Sequence, residues 1–333
     1  MSRAANKASR LMQIENLLLA HPEGLPQAEL ARRLGVARST ILRDLPDLPA
    51  HIYQDDDGRL KIDRAADLIH ICLNLHEALA IHLAARLLAT RMDKQNRHAA
   101  AALRKLGLAM ERWASRISAH VLQSADMMDD AARRDDPVYL QVLETLTLAW
   151  AEQRKVHIWH QGEPGAQASE YLVSPYFIEP YAIGQTTYVI GLARLISEPG
   201  WEIEKMRTFK VERIRRAALT REPYQIPTTF DPSDLLADAW GIWYTEGEPV
   251  EVVLRFTPAV AHRVQETRWH RSEQTTLEAD GSVIWRARIA EPREMLPWIR
   301  GWGADCEVLE PESLRKALTQ EAKRLMEVYG CGA

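Results

Sequence analysis

The sequence predicts a multidomain α+β protein, and three observations carry that prediction. The chain has 333 residues, far beyond the roughly 60–70 of one small helical module, so two or three domains are expected. Helical periodicity dominates the first third, whereas short apolar runs bounded by Gly and Pro recur from Val156 to Val211. From Val250 onward, strand-like and helix-like segments alternate as β-α-β-β-α-β.

The first helix starts near Ala8, with Leu11, Ile14, Leu17 and Leu18 on one face, and stops around His21-Pro22. Pro26 suits the first turn of a second helix ending at Gly35, and a third runs from about Arg38 to Leu45, before Pro46 and Pro49. The spacing within Gly24–Leu45 is that of a helix-turn-helix. Ala31 lets two helices approach, Gly35 takes a left-handed turn, and Ile41 plugs the angle, with Leu30, Leu34, Val36 and Leu45 completing a small core. Arg38, Ser39, Thr40 and Arg43 are then left exposed, a set that a DNA major groove accepts. His51–Ile62 reads as a hairpin around Asp57-Gly58. Three helices and a hairpin make a winged helix-turn-helix over residues 1–64. On the wing, Arg59 and Lys61 are positioned for phosphates, opposed by Asp55, Asp56 and Asp57.

Residues 65–135 read as a helical linker or dimerisation region. Leu68–Leu73 is a short strand-like run, and Asn74-x-x-Glu77 is a helix start with an asparagine cap and a glutamate three residues on. The helix behind it carries Leu79, Leu83, Leu87 and Leu88, and a second covers about Ala99–Ser115. The aspartate-rich Asp126–Asp136 reads as a solvated loop and a domain boundary. Pro137 then opens a helix to about Gln153. Strand-like segments follow at Val156–His160, Glu170–Val173, Pro180–Ile183, Thr187–Leu192 and Lys205–Val211, a small bent sheet or barrel over residues 136–225. A Pro-containing linker, Glu222–Pro232, leads into residues 226–333. There a Val250–Phe256 strand and a Pro258–Glu266 helix precede a Thr275–Ala279/Val283–Ile289 hairpin around Asp280-Gly281. A Pro292–Arg300 helix, a Cys306–Leu309 strand and a closing Ser313–Tyr329 helix complete a ferredoxin-like α+β domain.

A formal charge of −4 excludes a generally basic, histone-like binder, so any nucleic-acid surface is a local patch. Cys72, Cys306 and Cys331 lie far apart with no CxxC pair, which points to a reducing compartment and away from structural zinc. Met1–Arg10 lacks the apolar core of a signal peptide. The apolar run Leu68–Ala89 is broken by His70, Asn74, His76, Glu77, His82 and Arg86, too many polar groups for a membrane span. A soluble, cytoplasmic protein is expected. No phosphate-binding loop, GxSxG or HExxH occurs, the histidines at 70, 76 and 82 are spaced by six, and His157 and His160 flank Trp159 on opposite strand faces. Neither catalytic residues nor a metal nor a cofactor is expected. The tryptophans at 240, 243, 269, 285, 298 and 302 read as core and subunit packing.

The segment Arg207-Thr-Phe-Lys-Val-Glu-Arg213-Ile214 follows a glycine-bounded strand containing Tyr188. Upstream lie DPVYLQVLETLTLAWAEQRKVHIWHQG and Ser174-Pro175. In these residues the chain resembles the WYL-domain transcriptional regulators, over nearly its full length. The resemblance implies an N-terminal winged helix, a helical linker, an Sm/SH3-like β-barrel (the WYL domain) and a C-terminal WCX-type extension. The naming tripeptide falls on Thr187-Tyr188-Val189, so only its tyrosine is kept. Ala37 replaces the hydroxyl residue usual at the start of the recognition helix, a loss of ~1 kcal/mol. The resemblance further implies a sensory barrel with a nucleic-acid or nucleotide effector. Arg207 and Arg213 suit a phosphate, and Tyr188, with Tyr176, Tyr181 or Trp159, suits a stacked base. Phe209 and Val211 are expected in the core.

The expected function is therefore a sequence-specific DNA-binding regulator, a homodimer on an inverted-repeat operator, whose affinity a ligand at the barrel adjusts. The alternative is a single-strand nucleic-acid-binding accessory subunit of a nucleic-acid-processing system. A third reading makes the winged helix a protein-interaction module.

Overall fold

The computed structural model describes the chain apart from residues 1–2, 49, 64–70, 92, 164, 182–183, 197–202 and 331–333. Half of the expected strand-like run Leu68–Leu73 lies outside the described residues, as do His70 and Cys331, and residues 71–74 carry no regular structure. The described residues divide by their internal contacts into two units, Met1–Ile226 and Pro227–Ala333.

In the first unit, the apolar stripe of α1 (Arg3–Ala20) buries Ile14 and Leu18 completely. A two-residue strand, β1 (Leu25–Pro26), leads into α2 (Gln27–Leu34) and α3 (Arg38–Asp44), which tightens into a 3-10 turn at Leu45–Asp47. Pro26 sits just outside α2, not in its first turn, because its extended backbone pairs with Arg59. Gly35 has φ +63°, so the Val36 N–H turns back onto the Ala31 carbonyl at 3.0 Å. Ile41 is fully buried against Leu18, Leu30 and Ala31. The hairpin strands β2 (Ile52–Gln54) and β3 (Arg59–Ile62) join β1 in a sheet of order β1-β3-β2. Asp44, fully buried at the end of α3, accepts from Arg10 Nε at 2.5 Å and so ties α3 to α1.

Next come α4 (Leu75–Arg91), α5 (Arg97–Met110) and α6 (Ser115–Met128). The start of α4 is the expected reciprocal cap: Asn74 Oδ1 accepts from the Glu77 N–H at 3.0 Å, and Glu77 Oε2 from the Asn74 N–H at 2.8 Å. The helix expected over Ala99–Ser115 stops at Met110, and α6 runs into what reads as the solvated loop. Serines disguise its buried stripe, which is Ser118, Val121, Ser124, Ala125 and Met128. Gly107 makes the α5–α6 crossing close, since a Cβ there would lie 2.8 Å from Leu122 Cδ2.

Asp136 caps α7 (Pro137–Ala151), which packs on a five-stranded antiparallel sheet. Its strands are β4 (Arg154–His160), β5 (Ser169–Tyr181), β6 (Thr186–Leu195), β7 (Lys205–Lys210) and β8 (Ile214–Pro223), in the order β7-β6-β5-β4-β8. Glu170–Val173 and Pro180–Ile183 are expected as separate strands, but Glu170–Val173 and Pro180–Tyr181 belong to the single long β5, and residues 182–183 lie outside the described residues. The Pro175 between them is absorbed by a bulge before Phe177. Opposite Pro175 stands Gly191, where a Cβ would come 2.0 Å from the Ser174 carbonyl oxygen. The sequence reading missed β8, whose Arg- and Ala-rich start lacks a strand-like run; Glu222 and Pro223 are strand rather than linker. A 3-10 turn, Val211–Arg213, joins β7 to β8, and Phe209 and Val211 are core as expected.

The second unit contains α8 (Pro232–Leu235), β9 (Val250–Phe256), α9 (Ala261–Gln265), β10 (Gln274–Leu277), β11 (Val283–Ile289), α10 (Leu296–Trp302), β12 (Cys306–Glu310) and α11 (Glu312–Val328). The sheet order β10-β11-β9-β12, antiparallel throughout, is that of a split β-α-β arrangement. The expected element order is present; the first helix is shorter, because Pro258–Val260 form turns. Trp285 and Phe256 fill the core. No helix among the described residues is long and apolar enough to cross a membrane.

Candidate nucleic-acid interface and sheet site

The outer face of α3 exposes Arg38, Ser39 and Arg43, with Thr40 half-buried. Leu42, absent from the sequence reading, is 58% exposed and stands one turn from Arg38. Its apolar character hid it among the core leucines. The guanidiniums of Arg38 and Arg43 have no ion-pair partner among the described residues. The neighbouring α2 differs: Glu29 takes Arg32 Nε at 2.8 Å and Arg33 Nε at 2.7 Å. Those two arginines hold the Glu29 carboxyl at about 2.

The cations of the β2–β3 hairpin are engaged nearby. Lys61 Nζ pairs with Asp55 Oδ2 at 3.1 Å, its stem lying against Gly24, and Arg59 Nη1 reaches the Gly24 carbonyl at 3.4 Å. Asp55 also organises the turn, accepting from the Arg59 and Asp57 N–H groups at 2.8 and 3.1 Å. Asp56 and Asp57 remain exposed. Asp56 meets Arg221 of β8 at 2.8 Å, beside a cleft of about 570 Å³ whose other lining includes Tyr53, Lys61, Glu152 and Arg154.

The six side chains expected to bind an effector do not converge. Tyr176 is buried and stacks on Tyr224, with centroids 6.3 Å apart. Tyr181 and Tyr188 meet edge-on at 6.1 Å, and Tyr188 pairs in register with Lys210. Trp159 lies against His157 at 3.9 Å and under the Arg216 guanidinium at 4.6 Å. Arg207 belongs to another group, with its guanidinium 5.7 Å from the Tyr171 ring and its Nε buried without a hydrogen-bond partner. Tyr171 packs edge-on against Phe209 at 4.9 Å, and His160 against Phe209 at 5.3 Å. The buried Nε2 of His160 also has no partner. Burial, reinforced by the Arg213 charge, pushes His160 down to about 4 and keeps its ring neutral at pH 7. Arg213 itself is exposed. Arg207, Tyr171, His160 and Arg213 therefore form a cationic, aromatic group at one end of the sheet. Strand alternation (156, 158 and 160 inward; 171 and 173 inward) was the signal for His160 and Tyr171.

A second group was not foreseen. Glu212, inside the Arg207–Ile214 motif, pairs with Lys94 at 2.9 Å; their side chains are only 14% and 6% exposed. Glu212 also accepts from the Thr186 hydroxyl and, at 3.4 Å, from the Thr187 N–H. Lys94 lies 4.4 Å over the Tyr139 ring, and Tyr139 Oη meets Thr187 Oγ1 at 3.0 Å. The segment between α4 and α5 is thus fastened to the sheet. The motif glutamate reads as ordinary surface charge because its partner is 118 residues away.

No group of three or more His, Cys, Asp or Glu among the described residues is placed to hold a metal. Burial pushes the Cys306 thiol up to about 12, far from a nucleophile's range.

Two family models match the chain: the WYL domain over residues 141–219 and the WCX domain over residues 248–326. No curated protein matches it. Among solved structures it is similar to proteasome accessory factor B/C (PafBC) of Arthrobacter aurescens. That match has 18% identity, covers 93% of this chain and 47% of the other, and has a TM-score of 0.31. It is also similar to a CRISPR Cas-related protein, at 10% identity, 63% and 58% coverage and a TM-score of 0.42. The chain spans about half the length of the solved chains it matches.

Proposed function

Since the chain is a WYL-domain protein with a WCX extension, we propose that it is a sequence-specific DNA-binding transcriptional regulator. It would act as a homodimer, with residues 1–64 as a winged helix-turn-helix and the five-stranded sheet as an Sm-like sensory barrel. The observation that carries this reading is the contrast in pairing: the basic side chains of α2 and the wing are engaged internally, whereas Arg38 and Arg43 of α3 stand exposed and without an ion-pair partner among the described residues. Laid in a major groove, α3 offers two guanidiniums for guanine O6/N7 or phosphate, a Ser39 hydroxyl, and Leu42 for a thymine methyl. In a two-fold dimer, half-sites lie about 34 Å apart or a multiple of it. The wing, with its cations paired and its aspartates exposed, contributes little grip.

The effector end is Arg207, Tyr171, His160 and Arg213, a set suited to a phosphate with a stacked base, such as a nucleotide or single strand. Arg213 ends the turn that carries Glu212, and Glu212 holds Lys94. A ligand that shifts this turn acts on the helical segment leading back to α3. It is allosteric only to the extent that it prefers one arrangement.

The test is selection of bound duplexes from a random pool, followed by gel shift. The wild type should enrich an inverted repeat. Arg38→Ala with Arg43→Ala should abolish its retention at unchanged thermal midpoint, and Arg207→Ala with Arg213→Ala should remove only the ligand response. Enrichment of no duplex sequence, together with tight single-strand binding, would establish the accessory-subunit reading instead.

A further inference from the structure

The tryptophans of the second unit do not all belong to its core. Trp285 is fully buried, but Trp269, Trp298 and Trp302 are half-buried and line a cleft of about 440 Å³ between α9 and α10. That volume falls within the range of small-molecule sites, roughly 300–1,000 Å³. Trp298 stands 5.1 Å from Trp269 and 6.0 Å from Trp302, so the three rings form a continuous aromatic wall.

Polar groups at and around this wall are satisfied unevenly. The Trp269 indole N–H donates to the Val264 carbonyl at 3.1 Å, and that of Trp285 to Glu273 at 3.0 Å. The Trp298 N–H is buried without an acceptor. Arg263 holds its guanidinium 5.1 Å from the Trp302 ring centroid and has no ion-pair partner among the described residues. Glu266 and Thr267, on the following turn, also line the cleft, and no partner holds the Glu266 carboxylate among the described residues. Arg263 and Glu266, three residues apart, are within reach of each other yet do not pair.

We propose that this cleft is a binding site for a purine nucleotide, separate from the barrel. A planar heteroaromatic ring satisfies the indole faces. A phosphate satisfies the guanidinium that lies beside Trp302. The Glu266 carboxylate, an acceptor only, takes N–H donors from the base edge. Guanine fits best, because N1–H and the N2 amino group lie side by side as two donors for two carboxylate oxygens. A proline-rich peptide would use the aromatic wall but leave both charged side chains without a counterpart. The site rests on the second unit alone and does not depend on the proposed DNA-binding or sensory role.

The experiment uses the full chain with GMP as the probe, followed by calorimetry and tryptophan quenching. Saturable GMP binding is expected, at least tenfold weaker for ribose 5-phosphate. Arg263→Ala should weaken GMP binding about tenfold and Trp302→Ala more, with Trp302→Phe retaining most of it and near-ultraviolet circular dichroism showing the fold intact. Arg207→Ala with Arg213→Ala should leave this binding unchanged, whatever becomes of the barrel response. Absence of saturable binding at millimolar GMP overturns the proposal. So does binding that survives Arg263→Ala and Trp302→Ala but is lost with Arg207→Ala and Arg213→Ala.

Discussion

Replacing Lys94 with Met tests whether the helical segment is fastened to the sheet by the Glu212 pair. At 2.9 Å the Coulomb attraction is about 6 kcal/mol with an effective dielectric near 20. Desolvation offsets much of that, and removing one member of such a buried pair typically costs about 3–5 kcal/mol. Glu212 keeps the Thr186 hydroxyl and the Thr187 N–H, so the lower end applies, about 3 kcal/mol. Glu212→Gln keeps an acceptor for Thr186 but strands the ammonium above Tyr139, for roughly 2 kcal/mol. The double variant, Lys94→Met with Glu212→Leu, should cost less than the sum, with a coupling of at least about 1.5 kcal/mol. Urea unfolding supplies the global value. Hydrogen exchange at the Gln95 and Asn96 amides, which donate to the Arg134 and Met128 carbonyls, supplies the local one. A single-variant cost under about 1 kcal/mol with additive effects, as for a solvated surface pair, would refute the fastening.

Two further outcomes follow from the first unit. The folded-state value of His160, about 4, lies below the usual ~6.5, so the unfolded chain binds the extra proton between them. Stability should fall as pH drops from about 6.5 toward 4, by roughly 3 kcal/mol from this residue; urea midpoints across that range should show a shallower slope for His160→Phe. Gly191→Ala places a Cβ 2.0 Å from the Ser174 carbonyl, and backbone cannot yield as a flexible side chain does. A loss above about 3 kcal/mol or insoluble expression is expected, whereas Gly162→Ala, with open space around it, should be near neutral.

The sequence made legible what local patterning determines. The Ala31–Gly35–Ile41 spacing, the Asn74–Glu77 cap and the Asp280-Gly281 hairpin each depend on residues a few positions apart, and each is present. What escaped depends on distant partners. The α6 stripe contains serines that make sense only against α5, where Ser118 donates to the Gly107 carbonyl at 2.8 Å. Strand β8 takes its conformation from pairing with β4, more than fifty residues earlier, and not from its own side chains. The candidate sites divide in the same way. Exposure along α3 followed from helical period, whereas Tyr176, Trp159 and the Tyr181–Tyr188 pair were grouped by type and are held apart by strand register. The Lys94–Glu212 pair had no local signal at all.

The acidic tip of the β2–β3 hairpin acquires another meaning once α3 is read as the DNA-contacting helix. Exposed Asp57 at the hairpin tip and the guanidiniums of α3, which have no ion-pair partner among the described residues, give this small module a dipole with opposite signs on two separate elements. An approaching polyanion feels a torque as well as an attraction, so encounters that lead with the hairpin are turned away before contact. The effect reaches only about one Debye length, ~10 Å at 0.1 M salt. The hairpin then belongs to the kinetics of arrival, narrowing the angles from which the helix is found.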